Sequence, residues 1–184
     1  MTRFADRYPT LFHVTWKDAV ESIRSDGVLS AKRLCERHDH TADLTANRQR
    51  PVTVGPHLLR RQGMSNEALK PRLDPSITVE AWRSYINGLV FLFPTQAAAQ
   101  RLAASEAVEQ AILCFRTEHL LSLAELRVCR YNNGYTDRRP LTGARRRSFG
   151  DYVPIAAWEG TPVAEVVVQG CIPPGVTFTV QPSS

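Results

Sequence analysis

Three kinds of side chain that can carry chemistry occur in order along this sequence: a histidine, a group of arginines and a glutamate. His13 stands in "LFHVTW", Arg48 and Arg50 follow in "NRQRP", and Glu165 stands in the apolar run "PVAEVVVQG". An imidazole can hydrogen-bond hydroxyl groups, a guanidinium can hold phosphate oxygens, and a carboxylate can stabilise positive charge or take a proton. These residues are therefore the first candidates for a functional site.

The segment after His13 predicts a helix. Thr15 is a candidate N-cap, Asp18 follows three residues later, and Gly27 ends the apolar helical pattern. "LFHV" predicts a short strand before it, so we expect His13 at a strand end, beside a helix N-terminus whose N–H groups favour anions. The alternative is a histidine packed in the core.

Glu165 lies among apolar neighbours, with Ala164 before it and three valines after it. A carboxylate on such a strand either faces solvent or is held at the mouth of a cleft. The sequence leaves both interpretations open.

The positive charge of the chain is concentrated in one segment. The formal net charge is +5, and residues 116–147 hold eight arginines against three acidic residues, so this segment carries the whole excess. Basic patches commonly bind phosphate-bearing partners, whereas the alternative is a solvated surface loop. Tyr131, Tyr135 or Phe149 could stack on a base beside these arginines. The candidate nucleic-acid-binding residues are Arg138, Arg139, Arg145, Arg146 and Arg147.

Several other classes of protein are disfavoured. The four cysteines are far apart and form no CxxC pair, which indicates reduced thiols. Cys35, His38 and His40 resemble part of a metal site, but no fourth ligand follows at a matching spacing, so we expect no metal. The sequence has no GxSxG, Walker-type glycine loop or HExxH motif. It also has no membrane-length apolar run and no signal peptide, which favours a cytoplasmic protein.

The elements that must position the candidate residues are predicted from periodicity and capping signals. Prolines interrupt the pattern between residues 35 and 80, where we expect loops and one short helix around "SNEALK". "VEAWRSYIN", the stretch after Thr95 and "EHLLSLA" predict helices. Residues 131–160 predict a long functional loop. The predicted strands are "GLVFLFP", "AILCFRT", "ELRVCR", "VAEVVVQGCI" and "VTFTV". Together they predict one α+β domain over residues 1–184.

Three of these segments resemble the DarT-like ADP-ribosyltransferases. "FHVTWKDAVESIRSDGVLS" is similar to the opening of that family, "VFLFP" to its central strand, and "VAEVVVQGCIPPG" to the late strand that carries its catalytic glutamate. The middle of the chain is closer to an uncharacterised bacterial domain family that shares this core. That likeness rests on the Arg50-Pro51 step, "RRQGM", "AWRSYINGLVFLFP" and "NNGYTDRRP".

The resemblance implies a fold, an activity and a set of site residues. The fold would be ADP-ribosyltransferase-like, with two small, mostly antiparallel sheets packed face to face around a cleft and flanked by helices. The activity would be transfer of ADP-ribose from NAD, as co-substrate, to an acceptor such as nucleic acid. A toxin-like enzyme of this kind also implies an antitoxin as a candidate partner.

Each candidate residue takes a role from this resemblance. Glu165 would stabilise the oxocarbenium-like state and deprotonate the incoming nucleophile. His13 would hydrogen-bond the adenosine ribose, steadied by Thr15. A phosphate-binding arginine is also implied, and we expect Arg50 or Arg48, with Arg60 and Arg61 as alternatives.

Two other functions are compatible with the same residues. The first is an NAD glycohydrolase, in which water is the acceptor and the arginine-rich loop is incidental. The second is a non-catalytic nucleotide- or RNA-binding module that has kept the cleft and lost the activity.

Overall fold

The structure, a computed structural model, describes residues 2–105, 107–133 and 145–182. They form helices and small antiparallel sheets, which confirms the predicted α+β class. The helices described are α1 (Thr2–Arg7), α2 (Val20–Asp26), α3 (Ala31–Arg37), α4 (Asn66–Leu69), α5 (Val79–Asn87), α6 (Gln96–Ala104) and α7 (Thr117–Leu123). The strands described are β1 (Thr10–Trp16), β2 (Val28–Leu29), β3 (Val52–Val54), β4 (His57–Leu59), β5 (Leu89–Leu92), β6 (Gln110–Arg116), β7 (Leu126–Cys129), β8 (Val153–Pro154), β9 (Glu165–Gln169), β10 (Cys171–Ile172) and β11 (Phe178–Pro182).

The two larger sheets have three and four strands. In the first sheet β6 lies between β1 and β11, and in the second the order is β5, β9, β7 and β8. Their strands all pair antiparallel. Two small pairs complete the arrangement, β2 with β10 and β3 with β4. None of the helices within the described ranges is long and apolar enough to cross a membrane.

The two larger sheets meet edge to edge, at β1 and β5. Phe12 and Phe93 exchange backbone hydrogen bonds of 3.0 and 2.7 Å, and this contact is an isolated bridge rather than a ladder. We expected the sheets to pack face to face around a cleft. Instead, β1 and β5 stop pairing beyond this bridge, and His13 is the next residue along β1.

One apolar core extends beneath both sheets. Leu11 and Leu113 of the first sheet and Leu92 and Val166 of the second are all fully buried in it. Because side chains alternate along a strand, the residues between them point to the other face. There α6 covers part of the first sheet and α5 covers part of the second. The shared core holds β1, β5 and β9 in a fixed arrangement.

β1 is longer than the sequence predicts, and this changes the setting of His13. Thr15 lies inside β1 opposite Ala111, and a 3-10 turn at Lys17–Ala19 precedes α2, so Thr15 caps no helix. The seven-residue pairing with β6 outweighs the local capping signal. His13 lies at the middle of the strand, and the predicted position beside a helix N-terminus was wrong. The predicted end of α2 at Gly27, with φ of +80°, is confirmed.

Residues 35–80 are more ordered than predicted. Ser30 is the N-cap of α3, and its hydroxyl accepts a hydrogen bond from the N–H of Arg33. Strands β3 and β4 form a hairpin. Pro51 and Pro56 border the hairpin strands instead of preventing them. The short helix predicted at "SNEALK" is confirmed as α4, and the helix expected after Thr95 is confirmed as α6.

The late strand predicted over "VAEVVVQGCI" is two strands. β9 begins at Glu165, and Gly170, with φ of +77°, turns the chain after it. Cys171 and Ile172 then pair with β2 in a different sheet. Glu165 is therefore the first residue of a strand that lies between β5 and β7.

Candidate functional site

His13 lies where β1 and β5 separate. Its Nδ1 is 2.8 Å from the carbonyl oxygen of Phe91, and because a carbonyl only accepts, Nδ1 carries the proton and Nε2 has the lone pair. The pKa of His13 is lowered to about 4, chiefly by burial and also by the charge of Arg60, whereas the bond to Phe91 acts in the opposite direction. The side chain is therefore a neutral acceptor at physiological pH.

Arg60 contacts the strand that carries His13, and Arg48 contacts Arg60. Nη2 of Arg60 is 3.4 Å from the carbonyl oxygen of Val14 and also contacts Gln110. The backbone carbonyl of Arg60 accepts a 2.9 Å hydrogen bond from Nε of Arg48. A chain of contacts thus runs from the residue next to His13 to Arg48.

Arg48 is held by two hydrogen bonds and keeps one buried donor without a partner. Nη2 donates to Oδ1 of Asn87 at 3.2 Å, whereas Nη1 is buried and has no hydrogen-bond partner among the described residues. Burial lowers the pKa of this guanidinium. A buried guanidinium nitrogen that lacks an acceptor is what a site for an anionic oxygen would present.

The loop that carries Arg48 is attached to the end of α5 by a polar network. Asn87 donates to the carbonyl oxygen of Leu44 at 2.8 Å, and Gln62 donates to Oδ1 of Asn87 at 3.2 Å. Arg83, which is fully buried, donates to Gln62 and to the carbonyl oxygen of Met64. This network holds the backbone around Arg48, and no pattern in the sequence predicted it.

The other predicted binding residues are Arg50, Arg61 and Thr15, and none of them has a buried polar group without a partner among the described residues. Arg50 is exposed, and the structure shows no hydrogen bond or ion pair between its side chain and any described residue. Arg61 is exposed as well, and Thr15 is buried within β1. Arg48 thus has a buried donor without a partner among the described residues, whereas Arg50 and Arg61 are exposed.

Glu165 is buried and hydrogen-bonded. Only 3 % of its surface is exposed, and the hydroxyl of Tyr152 donates to Oε2 at 2.9 Å. Burial, together with the charge of Glu165, raises the pKa of Tyr152 well above its usual value, so the phenol stays protonated. Of the two interpretations that the sequence left open, solvent exposure is excluded.

Arg147 and Cys129 complete the surroundings of Glu165. Cys129 is opposite Glu165 in the pairing of β7 with β9, and burial raises the pKa of its thiol to about 12. Burial lowers the pKa of Arg147, whereas the charge of Glu165 raises it. The nearby groups are thus a neutral thiol, a neutral phenol and a cation.

The described arginines of the predicted basic patch do not all lie on the surface. Arg147 is buried, so its expected role as a surface contact to nucleic acid is not supported. Arg145 forms an ion pair with Asp151 and lies over the ring of Tyr131, whereas Arg146 is exposed. Arg138 and Arg139 lie outside the described residues, as does Tyr135.

His13 and Glu165 lie on different strands and do not touch. β5 runs between them, with β1 on one side and β9 on the other. In the extended register of β5 with β9, Glu165 lies beside Phe93, the residue that bridges to Phe12. Two strand spacings, about 10 Å, therefore separate the backbones that carry them.

Residues 2–105, 107–133 and 145–182 contain no group of three or more His, Cys, Asp or Glu side chains that could hold a metal ion. The partial motif in "CERHDH" does not converge, because Cys35 is buried against apolar residues and Nδ1 of His40 accepts a hydrogen bond from the N–H of Ala42.

Residues 9–177 match the model of a protein family described as "Family of unknown function (DUF7002)". The chain belongs to the DUF7002 family. The DUF7002 match includes His13, Arg48, Tyr152 and Glu165, so the whole candidate site lies within the family's domain. No curated protein matches the chain. Membership of DUF7002 supplies no activity, and the function must be argued from the site.

Proposed function

We propose that this protein is an NAD-dependent ADP-ribosyltransferase. The observation that carries the proposal is the position of the three segments that resemble the DarT-like family. "FHVTW", "VFLFP" and "VAEVVVQG" form β1, β5 and β9, which are adjacent, so His13 and Glu165 flank one central strand. This arrangement supports an ADP-ribosyltransferase-like core, in which the cleft would lie where β1 and β5 separate.

His13 would bind the adenosine ribose. Because Nδ1 donates to Phe91, the lone pair of Nε2 is available to accept a hydrogen bond from a ribose hydroxyl. The low pKa keeps this acceptor unprotonated at neutral pH. A histidine with this tautomer suits a neutral sugar better than a phosphate.

Arg48 would bind the pyrophosphate. Its buried Nη1 has no partner within the described residues, and its other two nitrogens are held by Arg60 and Asn87. A charge-assisted hydrogen bond to a phosphate oxygen is about twice as strong as a neutral one. We therefore move the proposed phosphate contact from Arg50 to Arg48.

Glu165 would act on the nicotinamide ribose. In this reaction the bond between the ribose carbon and the nicotinamide nitrogen breaks, and the electron pair leaves with nicotinamide. The negative charge of Glu165 would stabilise the positive charge that develops on the ribose. An oxygen or nitrogen of the acceptor then bonds to that carbon, and its proton passes to the carboxylate or to water.

The proposed acceptor is nucleic acid. Arg146 is exposed, and so are the rings of Tyr131 and Phe149, which belong to segments on either side of residues 134–144. Phe149 stacks on Trp82 with ring centroids 5.9 Å apart and packs against Tyr85 at 4.8 Å, so α5 supports the ring while 39 % of the residue stays exposed. An exposed cation and two exposed rings suit a backbone phosphate and unpaired bases.

Product analysis tests the proposal directly. The protein is incubated with NAD, with and without single-stranded DNA or RNA, and free nicotinamide, free ADP-ribose and modified polymer are quantified. Modified polymer supports the transferase. Free ADP-ribose alone indicates a glycohydrolase, and unchanged NAD under all conditions indicates a binding module and overturns the proposal.

A further inference from the structure

The segment of residues 145–152 places two polar side chains against Glu165. Tyr152 supplies the 2.9 Å hydrogen bond to Oε2, and Arg147 is a buried cation whose charge interacts with that of Glu165. Tyr152 and Arg147 are only 2 % and 7 % exposed, respectively. A buried carboxylate is costly unless it is paired and hydrogen-bonded, and this segment provides both partners.

The 145–152 segment is itself fixed at several points. The carboxylate of Asp151 accepts hydrogen bonds from Asn133 at 2.8 Å and from the N–H of Ser148 at 3.1 Å, and it pairs with Arg145. The N–H of Arg147 donates to the carbonyl oxygen of Arg72 at 2.8 Å. Its own carbonyl accepts from the N–H of Asp74 at 2.9 Å. The backbone that carries Arg147 and Tyr152 is therefore held at both ends.

Other side chains around Glu165 and its two partners include Cys129, Tyr85 and Arg72. Cys129, opposite on β7, is a neutral thiol because burial raises its pKa to about 12. Tyr85 of α5 packs against Tyr152 with ring centroids 6.0 Å apart. Arg72 is near enough for its charge to lower the pKa of Arg147. Tyr152 and Arg147, which act on the carboxylate, both come from the 145–152 segment.

We propose that Arg147 and Tyr152 are positioning residues that hold the Glu165 carboxylate ionised and in one orientation. The role of these residues in catalysis rests on the proposed function, whereas their effect on Glu165 does not. Arg147 favours the charged form through its own charge, and Tyr152 favours it by donating a hydrogen bond. A carboxylate that must face a developing cation has to be both negative and fixed in direction.

The test is a pH titration of Glu165 in the full chain, in which NMR of its side-chain carboxyl carbon monitors the protonation. Tyr152→Phe removes the hydrogen bond, and Arg147→Gln removes the charge. Each change should move the titration midpoint of Glu165 up by roughly one pH unit, because the charged form loses a partner. Arg147→Lys keeps the charge, so its midpoint should lie close to that of the wild type. Tyr85→Phe removes the hydroxyl of the ring that packs against Tyr152, and Arg101→Gln removes an exposed guanidinium elsewhere; both should leave the midpoint in place.

A second measurement separates this inference from the proposed function. The acidic limb of the pH profile for NAD turnover should move in the same direction as the NMR midpoint in both variants. If wild-type protein leaves NAD intact but the midpoint still shifts, the proposed function fails and the positioning inference stands. If NAD is consumed and neither the midpoint nor the acidic limb shifts, the positioning inference is overturned. Should Arg147→Gln not fold, Tyr152→Phe decides alone.

Discussion

The imidazole of His13 and the carbonyl oxygen of Phe91 are joined by a 2.8 Å hydrogen bond across the point where the two sheets separate. β1 does not pair with β5 beyond the Phe12–Phe93 bridge. The imidazole of His13, instead of a backbone N–H of β1, therefore donates to the carbonyl oxygen of Phe91. The bond fixes the tautomer, and burial keeps the ring neutral. The same residue thus contributes to stability and to the proposed ribose site.

The first prediction is that His13 makes stability depend on pH. The folded-state pKa of about 4 lies below the unfolded value of 6.5, so the unfolded chain binds more protons between these values. Stability from His13 is complete above pH 6.5 and falls by about 3 kcal/mol at pH 4. His13→Asn, which keeps a donor for Phe91, should lose this part of the pH dependence. Urea unfolding of both proteins at pH 4 and pH 7 measures it, and equal pH dependence would contradict it.

The second prediction concerns the phosphate-binding arginine. Arg48→Ala should weaken NAD binding by about 1.5–3 kcal/mol, which is roughly 10- to 150-fold in Kd, because a charge-assisted hydrogen bond is lost. Arg50→Ala, in the same loop but exposed, is the matched control and should change little. Calorimetric titration with NAD gives both values. A larger effect at Arg50 would return the phosphate contact to the residue that the sequence first suggested.

The third prediction concerns the charge of Glu165. Glu165→Gln keeps the size and the contact with Tyr152 but removes the negative charge, so turnover of NAD should fall by roughly 10²- to 10³-fold. The loss also leaves the buried Arg147 without its counter-charge, so we expect a lower melting temperature as well.

A second substitution separates catalysis from stability at this position. Glu165→Asp keeps the charge near Arg147 but withdraws the carboxylate by one methylene, so it should lose turnover and keep more of the melting temperature than Glu165→Gln. Glu159→Gln, at an exposed position, is the control for a lost carboxylate. Turnover at the wild-type level in Glu165→Gln would remove Glu165 from the mechanism.

The sequence predicted those parts of the structure that local signals control. Thr95 caps α6, and Gly27 ends α2, because each acts on backbone groups within a few residues. The same type of signal at Thr15 and Asp18 gave a wrong helix start, because the pairing of β1 with β6 joins residues about a hundred positions apart. Local propensity cannot show that kind of competition.

The candidate site was only partly predictable for the same reason. His13 and Glu165 stand out in the sequence because each interrupts an apolar run. Tyr152 and Arg147 do not, since Tyr152 lies in the irregular stretch "GDYVP" and Arg147 in a run of three arginines that reads as a surface patch. Their contacts with Glu165 follow from how residues 145–152 are held beside β9, which is a tertiary effect.

The last prediction concerns the acceptor, and the structure changes how it should be tested. Neutralising Arg145, Arg146 and Arg147 together would also disturb Asp151 and Glu165, so a loss of activity would not identify a nucleic-acid contact. Replacing Arg138, Arg139 and Arg146 with Gln leaves Arg145 and Arg147 in place. This variant should modify DNA or RNA less than the wild type does, with a flatter dependence on salt, because fewer phosphates are neutralised. The control removes the same charge outside the basic segment, by Gln at Arg3, Lys32 and Arg101, all exposed. If the two variants respond to salt in the same way, the effect belongs to overall charge, and Arg138, Arg139 and Arg146 lose their support as nucleic-acid contacts. If the wild type modifies neither DNA nor RNA, nucleic acid is not the acceptor.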